Sequence, residues 1–180
     1  MDFVDIGKTL TNGENMGGLI QEVYFAYHVD VITWPAKPDT PLDIGENGVL
    51  TGEITMDTGK RFFQMYLTDD TGEFNIEPVG EKDGKSFVLH LSLFHPGLHK
   101  KILGFINAAK NDNLIFIVKD NNDQMYLMGD ALRPATFEGS PDGAGTGKET
   151  SARRGISMEF TYKTANIYLF EGTIPLTPAA

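Results

Sequence analysis

Arg154-Gly155-Ile156-Ser157-Met158-Glu159-Phe160-Thr161-Tyr162 is the stretch whose reading decides the fold class. Ile156, Met158, Phe160 and Tyr162 alternate with Ser157, Glu159 and Thr161, and a side-chain period of two marks a strand with one face in a core and one in water. After a turn-like break from Lys163 to Asn166, Ile167-Tyr168-Leu169-Phe170-Glu171-Gly172-Thr173-Ile174 makes a second β-rich run. Pro175 stops it, because proline has no N–H to give to a ladder. The two runs predict a closing hairpin. Ahead of them, residues 137–153 hold Gly139, Gly143, Gly145 and Gly147 among charged and hydroxyl side chains, a composition that predicts a long loop with no core of its own. Loops of that length in small domains are usually functional or mobile.

The same period recurs towards the N-terminus. Leu19 to Trp34 places Val23, Phe25, Tyr27, Val29 and Val31 on one face and Tyr24, Ala26, His28, Asp30, Ile32 and Trp34 on the other. At about 3.3 Å per residue this run would span about 50 Å, beyond the ordinary length of a strand, so a bulge or a change of sheet is expected. Residues 35–48, with Pro35, Pro38, Pro41, Gly45 and Gly48, read as a second long loop. Val49 to Met56 and Arg61 to Thr68 read as strands joined at Asp57-Thr58-Gly59, and Glu73 to Glu77 and Ser86 to Phe94 continue a meander of hairpins. Leu114 to Val118 is apolar on both faces and returns through a turn at Asp120 to Asp123 into Gln124 to Met128. One helix is expected from Pro96 to Lys110: Leu98, Ile102, Phe105, Ile106 and Ala109 form a single apolar stripe, with Pro96 in the first turn. The fold class is therefore mainly β, an antiparallel β-sandwich or flattened barrel with one packed α-helix. About seven strands precede the helix and four or five follow it. Residues 1–18 read as an N-terminal arm, and 19–180 as a single β-rich domain with long loops at 35–48 and 138–154.

A chain of 180 residues with 41% hydrophobic content is long enough to bury one substantial core. It contains no cysteine, which excludes disulfides, thiolate catalysis and Cys-ligated zinc. The first residues lack the basic and apolar regions of a signal peptide, and the longest apolar run is far short of a membrane span, so a non-secreted chain with no membrane partner is expected. The net charge of −10 is concentrated in residues 1–100, where 16 acidic side chains face 7 basic ones. A protein that grips a phosphate backbone needs the opposite sign. An acidic surface does suit DNA that slides past without being held.

Several local patterns resemble catalytic or binding motifs. Asp57-Thr58-Gly59 and Asp70-Thr71-Gly72 repeat the triplet of aspartic proteases, whose two carboxylates must share one proton and almost touch. These triplets stand at opposite ends of one expected strand, about 25 Å apart, and read as turns. Gly143-Ala144-Gly145-Thr146-Gly147-Lys148-Glu149-Thr150 resembles a phosphate-binding loop, but the spacing asks for glycine at 142 and a hydroxyl at 149, where the chain has Asp142 and Glu149. His90, His95 and His99 cluster in sequence without an acid at ligand spacing, so no metal site is assigned. No nucleophile-elbow sequence is present. No catalytic, cofactor or metal residue is therefore expected, and the chain reads as a non-enzyme. The candidate contacts are charged: Lys148, Arg153 and Arg154 beside the Gly-rich loop, against Asp39, Asp43 and Glu46 of a neighbouring copy.

Gly17-Gly18-Leu19 opens a long first strand that ends at Trp34-Pro35. A single mid-chain helix follows, and the chain closes with a charged Gly-rich loop, an alternating strand and Tyr168-Leu169-Phe170-Glu171-Gly172-Thr173-Ile174-Pro175. This order of elements resembles the tail tube proteins of long-tailed bacteriophages and the related tube-forming proteins of contractile injection systems. The resemblance implies a structural virion protein that forms a ring, usually of six copies, whose sheets join into one continuous barrel. Rings stack into a tube through which DNA passes. The partners implied are further copies and other tail proteins, and the place is the virion tail, assembled in the bacterial host cytoplasm. The arm 1–18 and the loops 35–48 and 139–154 then supply the contacts between rings. The alternatives are a head-completion or connector protein, an injection-system tube subunit, and a monomeric β-sandwich binding module. In the last, the Gly139 to Arg154 loop or the aromatics Tyr24, Trp34 and Tyr168 form a ligand site.

Overall fold

A computed structural model of the chain describes residues 2–7, 15–139 and 142–179. In chain order, β1 (Leu19–Tyr27) passes through a 3-10 turn (His28–Asp30) into β2 (Val31–Thr33), followed by β3 (Val49–Leu50), β4 (Thr55–Met56), β5 (Phe63–Tyr66), β6 (Glu73–Val79) and β7 (Ser86–Pro96). The helix α1 (Lys100–Ala109) comes next. It is followed by β8 (Leu114–Asp120), β9 (Met125–Met128), β10 (Thr136–Gly139), β11 (Ala144–Gly145), β12 (Gly155–Thr164) and β13 (Leu169–Phe170). Strand and bridge residues make up 44% of the described residues and helix 9%, so the packing of sheets sets the architecture.

Six strands form one sheet in the order β3-β13-β9-β8-β1-β5, and four form a second in the order β10-β12-β7-β6, with β11 also paired to β12. β2 and β4 make a separate pair. The sheets stack as a sandwich and are not closed into a barrel, which removes the flattened-barrel option. Pairing between the strands is antiparallel except for β3 with β13, which is parallel.

The alternation of β12 has the expected consequence. Ile156, Met158, Phe160 and Tyr162 all lie in the main core, with Leu89, Leu91 and Leu93 of β7 beside them and Val23, Phe116 and Val118 of the six-stranded sheet opposite. Phe160 is at its centre, with its ring 4.5 Å from Phe116, 5.4 Å from Phe137 and 6.3 Å from Phe105. A second core covers the other face of the six-stranded sheet, where Ala26, Ile115, Ile117 and Phe170 meet Ile54, Met56 and Phe62. β8 is thus buried on both faces, as its unbroken apolar run predicts. The bulge and the change of sheet expected within residues 19–34 both occur. The β1–β8 register shifts between Leu19 and Val23, and the 3-10 turn delivers the chain to β2 in the separate pair.

Four expectations are corrected. The closing hairpin does not form: β12 belongs to the four-stranded sheet, and β13 sits between β3 and β9 in the other. The tail after it is held by scattered contacts, among them Thr173 N–H to Glu53 Oε2 at 2.6 Å and Phe62 N–H to the Pro175 carbonyl at 2.9 Å. Apolar periodicity reveals which residues are buried but not which strand they pair with. For the same reason residues 49–68 form no hairpin: β3, β4 and β5 lie at three separate places in the topology. Pro96 is not in the helix. It ends β7 opposite Gly155, and Gly97, at φ +81°, turns the chain before α1 begins at Lys100. The apolar stripe does hold, with Ile102 and Ala109 buried and Leu98, Phe105 and Ile106 packed against the core. Six strands rather than four or five follow the helix, because β10 and β11 form within the expected loop. Phe137 is tied there by Phe160, and the Gly143 carbonyl accepts the Ser157 N–H at 3.0 Å.

Candidate functional site

The two sheets differ in what they show to solvent. The six-stranded sheet has a core on each face, whereas the four-stranded sheet buries one face and leaves the other wet. Cross-strand partners share a face, so the register lists the wet one in rows. Glu73 lies beside Ser92 and then Glu159; Asn75 beside His90, Thr161 and Thr136; Glu77 beside Val88 and then Lys163. Glu138 joins this surface by accepting a hydrogen bond from Thr161 Oγ1 at 2.7 Å. His90 stands in the middle, its Nε2 3.2 Å from Glu77 and its Nδ1 3.5 Å from Glu159. Among the described residues of these rows the face therefore carries Glu73, Glu77, Glu138 and Glu159 against the ammonium of Lys163. The two outermost strands, β6 and β10, each pair on one side only among the described residues.

The charged residues singled out from the sequence lie on different sheets. Asp39, Asp43 and Glu46 lie on the loop that leads into β3 of the six-stranded sheet; Lys148, Arg153 and Arg154 lead into β12 of the other. Asp43 Oδ1 accepts the N–H groups of Gly45 at 2.8 Å and Glu46 at 3.0 Å, and Glu46 Oε2 accepts that of Leu42 at 2.8 Å. Both carboxylates hold their own loop in shape. Arg154 donates to the Leu98 carbonyl at 3.3 Å, bracing the link between β7 and α1, and Arg153 lies over the Phe94 ring at 5.8 Å. Asp39 and Lys148 are exposed.

Each motif-like pattern folds as local structure. Asp57 Oδ1 accepts the Thr58 N–H at 2.7 Å, and the Gly59 N–H reaches the Ala179 carbonyl, so the first Asp-Thr-Gly is a turn clasped by the C-terminal tail. In the second, Asp70 adopts φ +56° and Thr71 Oγ1 donates to the Thr68 carbonyl at 2.5 Å. The glycine run from 143 opens no helix; β11 pairs with the start of β12. His95 Nδ1 donates to the Tyr66 carbonyl at 2.9 Å, which leaves its Nε2 to accept from His99 Nε2 at 3.2 Å, while His90 lies among the glutamates. Among the described residues no group of three or more His, Cys, Asp or Glu side chains is arranged to hold a metal ion, and no helix is long and apolar enough to cross a membrane.

One cleft was half visible in the sequence. Trp34 and Tyr168, two of the three aromatics singled out, line the same cavity of about 280 Å³, together with Leu127, Leu132, Tyr162 and Ile167. Tyr24 lies elsewhere, bonded to Glu22. Asp130 organises this cleft, and no spacing rule pointed to it. Its Oδ1 accepts the N–H groups of Leu132 and Arg133, each at 2.9 Å, its Oδ2 pairs with Lys37 Nζ at 2.8 Å, and its backbone carbonyl accepts from His28 Nε2 at 2.7 Å. Burial pushes its carboxyl up, but the Lys37 ammonium and the two backbone N–H groups outweigh that and hold it below its ordinary value. Beneath it, burial drives the Tyr162 phenol far above the usual tyrosine range; a hydrogen bond with Thr164 opposes the rise and the Asp130 carboxylate adds to it.

Fold and faces together define a class of protein: a β-sandwich with one sheet carrying a core on each face and the other wet and acidic on one, its outer strands paired on one side only among the described residues. No family model matches the chain, and no curated protein or solved structure matches it.

Proposed function

We propose that this chain is a structural subunit of a tube, of the kind found in bacteriophage tails, assembling into stacked rings that serve as a conduit for DNA. The observation that carries the reading is the four-stranded sheet, amphipathic across its thickness and open at both ends. Because β10, β12, β7 and β6 alternate in direction and are even in number, β6 of one copy meets β10 of the next in antiparallel sense. A ring built this way leaves no free edge in that sheet. Its wet face becomes the lumen, and Glu73, Glu77, Glu138 and Glu159 repel a passing phosphate backbone, which keeps DNA moving. The subunit then works without a cofactor, in a virion tail alongside other tail proteins.

A monomeric binding module is the second reading, favoured by the meeting of Trp34 and Tyr168 in one cleft. At about 280 Å³ that cleft is smaller than the roughly 300–1,000 Å³ of small-molecule sites, whereas the Gly139 to Arg154 loop lines a hollow of about 620 Å³ with Asp142, Gly143, Gly145, Gly147 and Arg153. Light scattering across a concentration series, with negative-stain microscopy of the same samples, separates the two. Rings or tubes are the expected result; a monomer at every concentration that binds a small ligand saturably overturns the tube reading.

A further inference from the structure

We propose that the groove between α1 and the ends of β1 and β5 binds a single-chain anionic amphiphile, with its tail against the sheet and its head at Lys101. This goes beyond the tube reading and does not depend on it. The groove encloses about 330 Å³, inside the roughly 300–1,000 Å³ of small-molecule sites. Its floor is Phe25, Ala26 and Leu114, and its helix wall is Gly104, Phe105 and Ala108. Phe105 meets Phe25 edge to face at 4.8 Å, and Phe25 lies 5.9 Å from Phe63, so the aromatic side is held in place by its own packing. Phe63 is 42% exposed and Tyr27 38%, which opens the groove to solvent. The missing side chain at Gly104 deepens it, since a Cβ there has nothing within 4 Å.

The lining selects the occupant. Its polar side chains are the Lys101 ammonium and the Tyr27 hydroxyl, and neither has an ion pair or a side-chain hydrogen bond among the described residues. No acid lines the groove. From Leu98 to Lys110 the chain carries Lys100, Lys101 and Lys110 and no acid, in a protein of net charge −10. The next acid, Asp112, follows the far end of the helix, about 15 Å along from Lys101 at a rise of about 1.5 Å per residue. The first turn of α1 holds no acid and His99 gives it no side-chain cap, so the helix dipole adds to the attraction for an anion beside Lys101. A sugar or a nucleotide needs more hydrogen-bonding partners than these two. A second copy docked symmetrically sets Lys100 and Lys101 against the same lysines. An alkyl chain with one anionic group meets both demands: the tail gains apolar burial, and the head takes the two donors.

Dodecanoate, kept below its micelle concentration, is titrated into the full chain by calorimetry, with amide shifts followed by two-dimensional NMR. Saturable one-to-one binding is expected, with the shifts centred on Tyr27, Lys101, Gly104 and Ala108. Shortening the probe to octanoate is expected to weaken binding about twofold to fourfold for each methylene removed. Dodecyltrimethylammonium, with the same tail and the opposite charge, is expected to bind about fivefold more weakly. Gly104→Leu fills the groove without a clash at its Cβ and is expected to abolish binding while the melting temperature holds. Lys101→Glu, at an exposed position, is expected to weaken binding about fivefold, and Lys101→Arg to keep it. No saturable binding, shifts confined to another surface, or equal binding of the cationic probe overturns the proposal. So does a Gly104→Leu variant that loses self-association in light scattering yet binds dodecanoate unchanged, because the groove then belongs to a contact between copies.

Discussion

Replacing Phe160 with alanine tests the stacking of the two sheets at the point where it is densest. The side chain is fully buried, with the rings of Phe116, Phe137 and Phe105 around it at 4.5, 5.4 and 6.3 Å. Truncating a buried phenylalanine costs about 3–5 kcal/mol through lost transfer energy and the cavity left behind. Aromatic pairs add roughly 0.5–1.5 kcal/mol beyond buried area, and because the three contacts share one ring they do not sum. The expected loss is about 4–5 kcal/mol, roughly a quarter or more of the 5–15 kcal/mol that holds a typical domain together. Urea denaturation followed by circular dichroism measures it, with Lys163→Ala on the wet face of the same strand as a control expected to cost under about 0.5 kcal/mol. A loss below about 2 kcal/mol at Phe160, or one no larger than the control's, would falsify the packing of β12 against β8.

Asp130→Asn is expected to cost about 1–2 kcal/mol near neutral pH, because it removes the Lys37 pair and weakens two hydrogen bonds from backbone N–H groups. The folded carboxyl is held below its ordinary value of 3.8, so its contribution is complete above that pH and fades as pH falls through the folded value. Urea midpoints of variant and wild type should therefore converge in acid; a gap that stays constant or widens there contradicts the assignment. Gly155→Ala places a Cβ 2.5 Å from the His95 carbonyl oxygen and from the Phe94 ring, and a loss of about 1–3 kcal/mol is expected in thermal melts, while Gly17→Ala, with nothing within 4 Å, serves as a neutral control. Assembly followed by light scattering is expected to strengthen as salt rises from 0.01 to 0.15 M, because the Debye length shrinks from about 30 to about 8 Å and acidic faces stop repelling. If salt weakens assembly instead, contacts of Asp39, Asp43 and Glu46 with Arg153 and Arg154 drive it rather than apolar and edge contacts.

The sequence reveals burial more readily than pairing. The alternation of residues 155–162, the two-sided apolar run of β8 and the helical stripe from Ile102 to Ala109 all follow from which neighbours a side chain has on its own element. The partners of β13, β3 and β4 depend instead on where the chain crosses between sheets, and no local period encodes that. The tail after Phe170 shows the difference: it is held by Glu53, Lys60 and Phe62, residues more than a hundred positions away. The same divide runs through the candidate sites. Trp34 and Tyr168 were legible as unusual aromatics, but their shared cleft was not. Glu73, Glu77, Glu138 and Glu159 read as scattered surface acids until three ladders set them on one face. Asp130 was silent, because its partners are a lysine far back in the chain and backbone N–H groups that any residue possesses.

The edges of the wet sheet constrain how a tube could be controlled. Natural sheets blunt their open edges with proline, charge and bulges, since a long bare edge recruits any strand that meets it. β6 carries Pro78 near one end, and the β10–β12 register shifts between Phe137 and Gly139, so the ladder each edge can offer is short. A joint of Glu73–Glu77 against Thr136 and Phe137 is long enough to set register but too short to hold two acidic copies together unaided. Under the assembly proposed above, lateral closure must therefore be completed by a second contact with its own apolar burial. Phe3, Ile6 and Leu132 are among the exposed apolar side chains available for such burial. Under that proposal a copy held by the short edge ladder alone remains free to dissociate until a second contact forms.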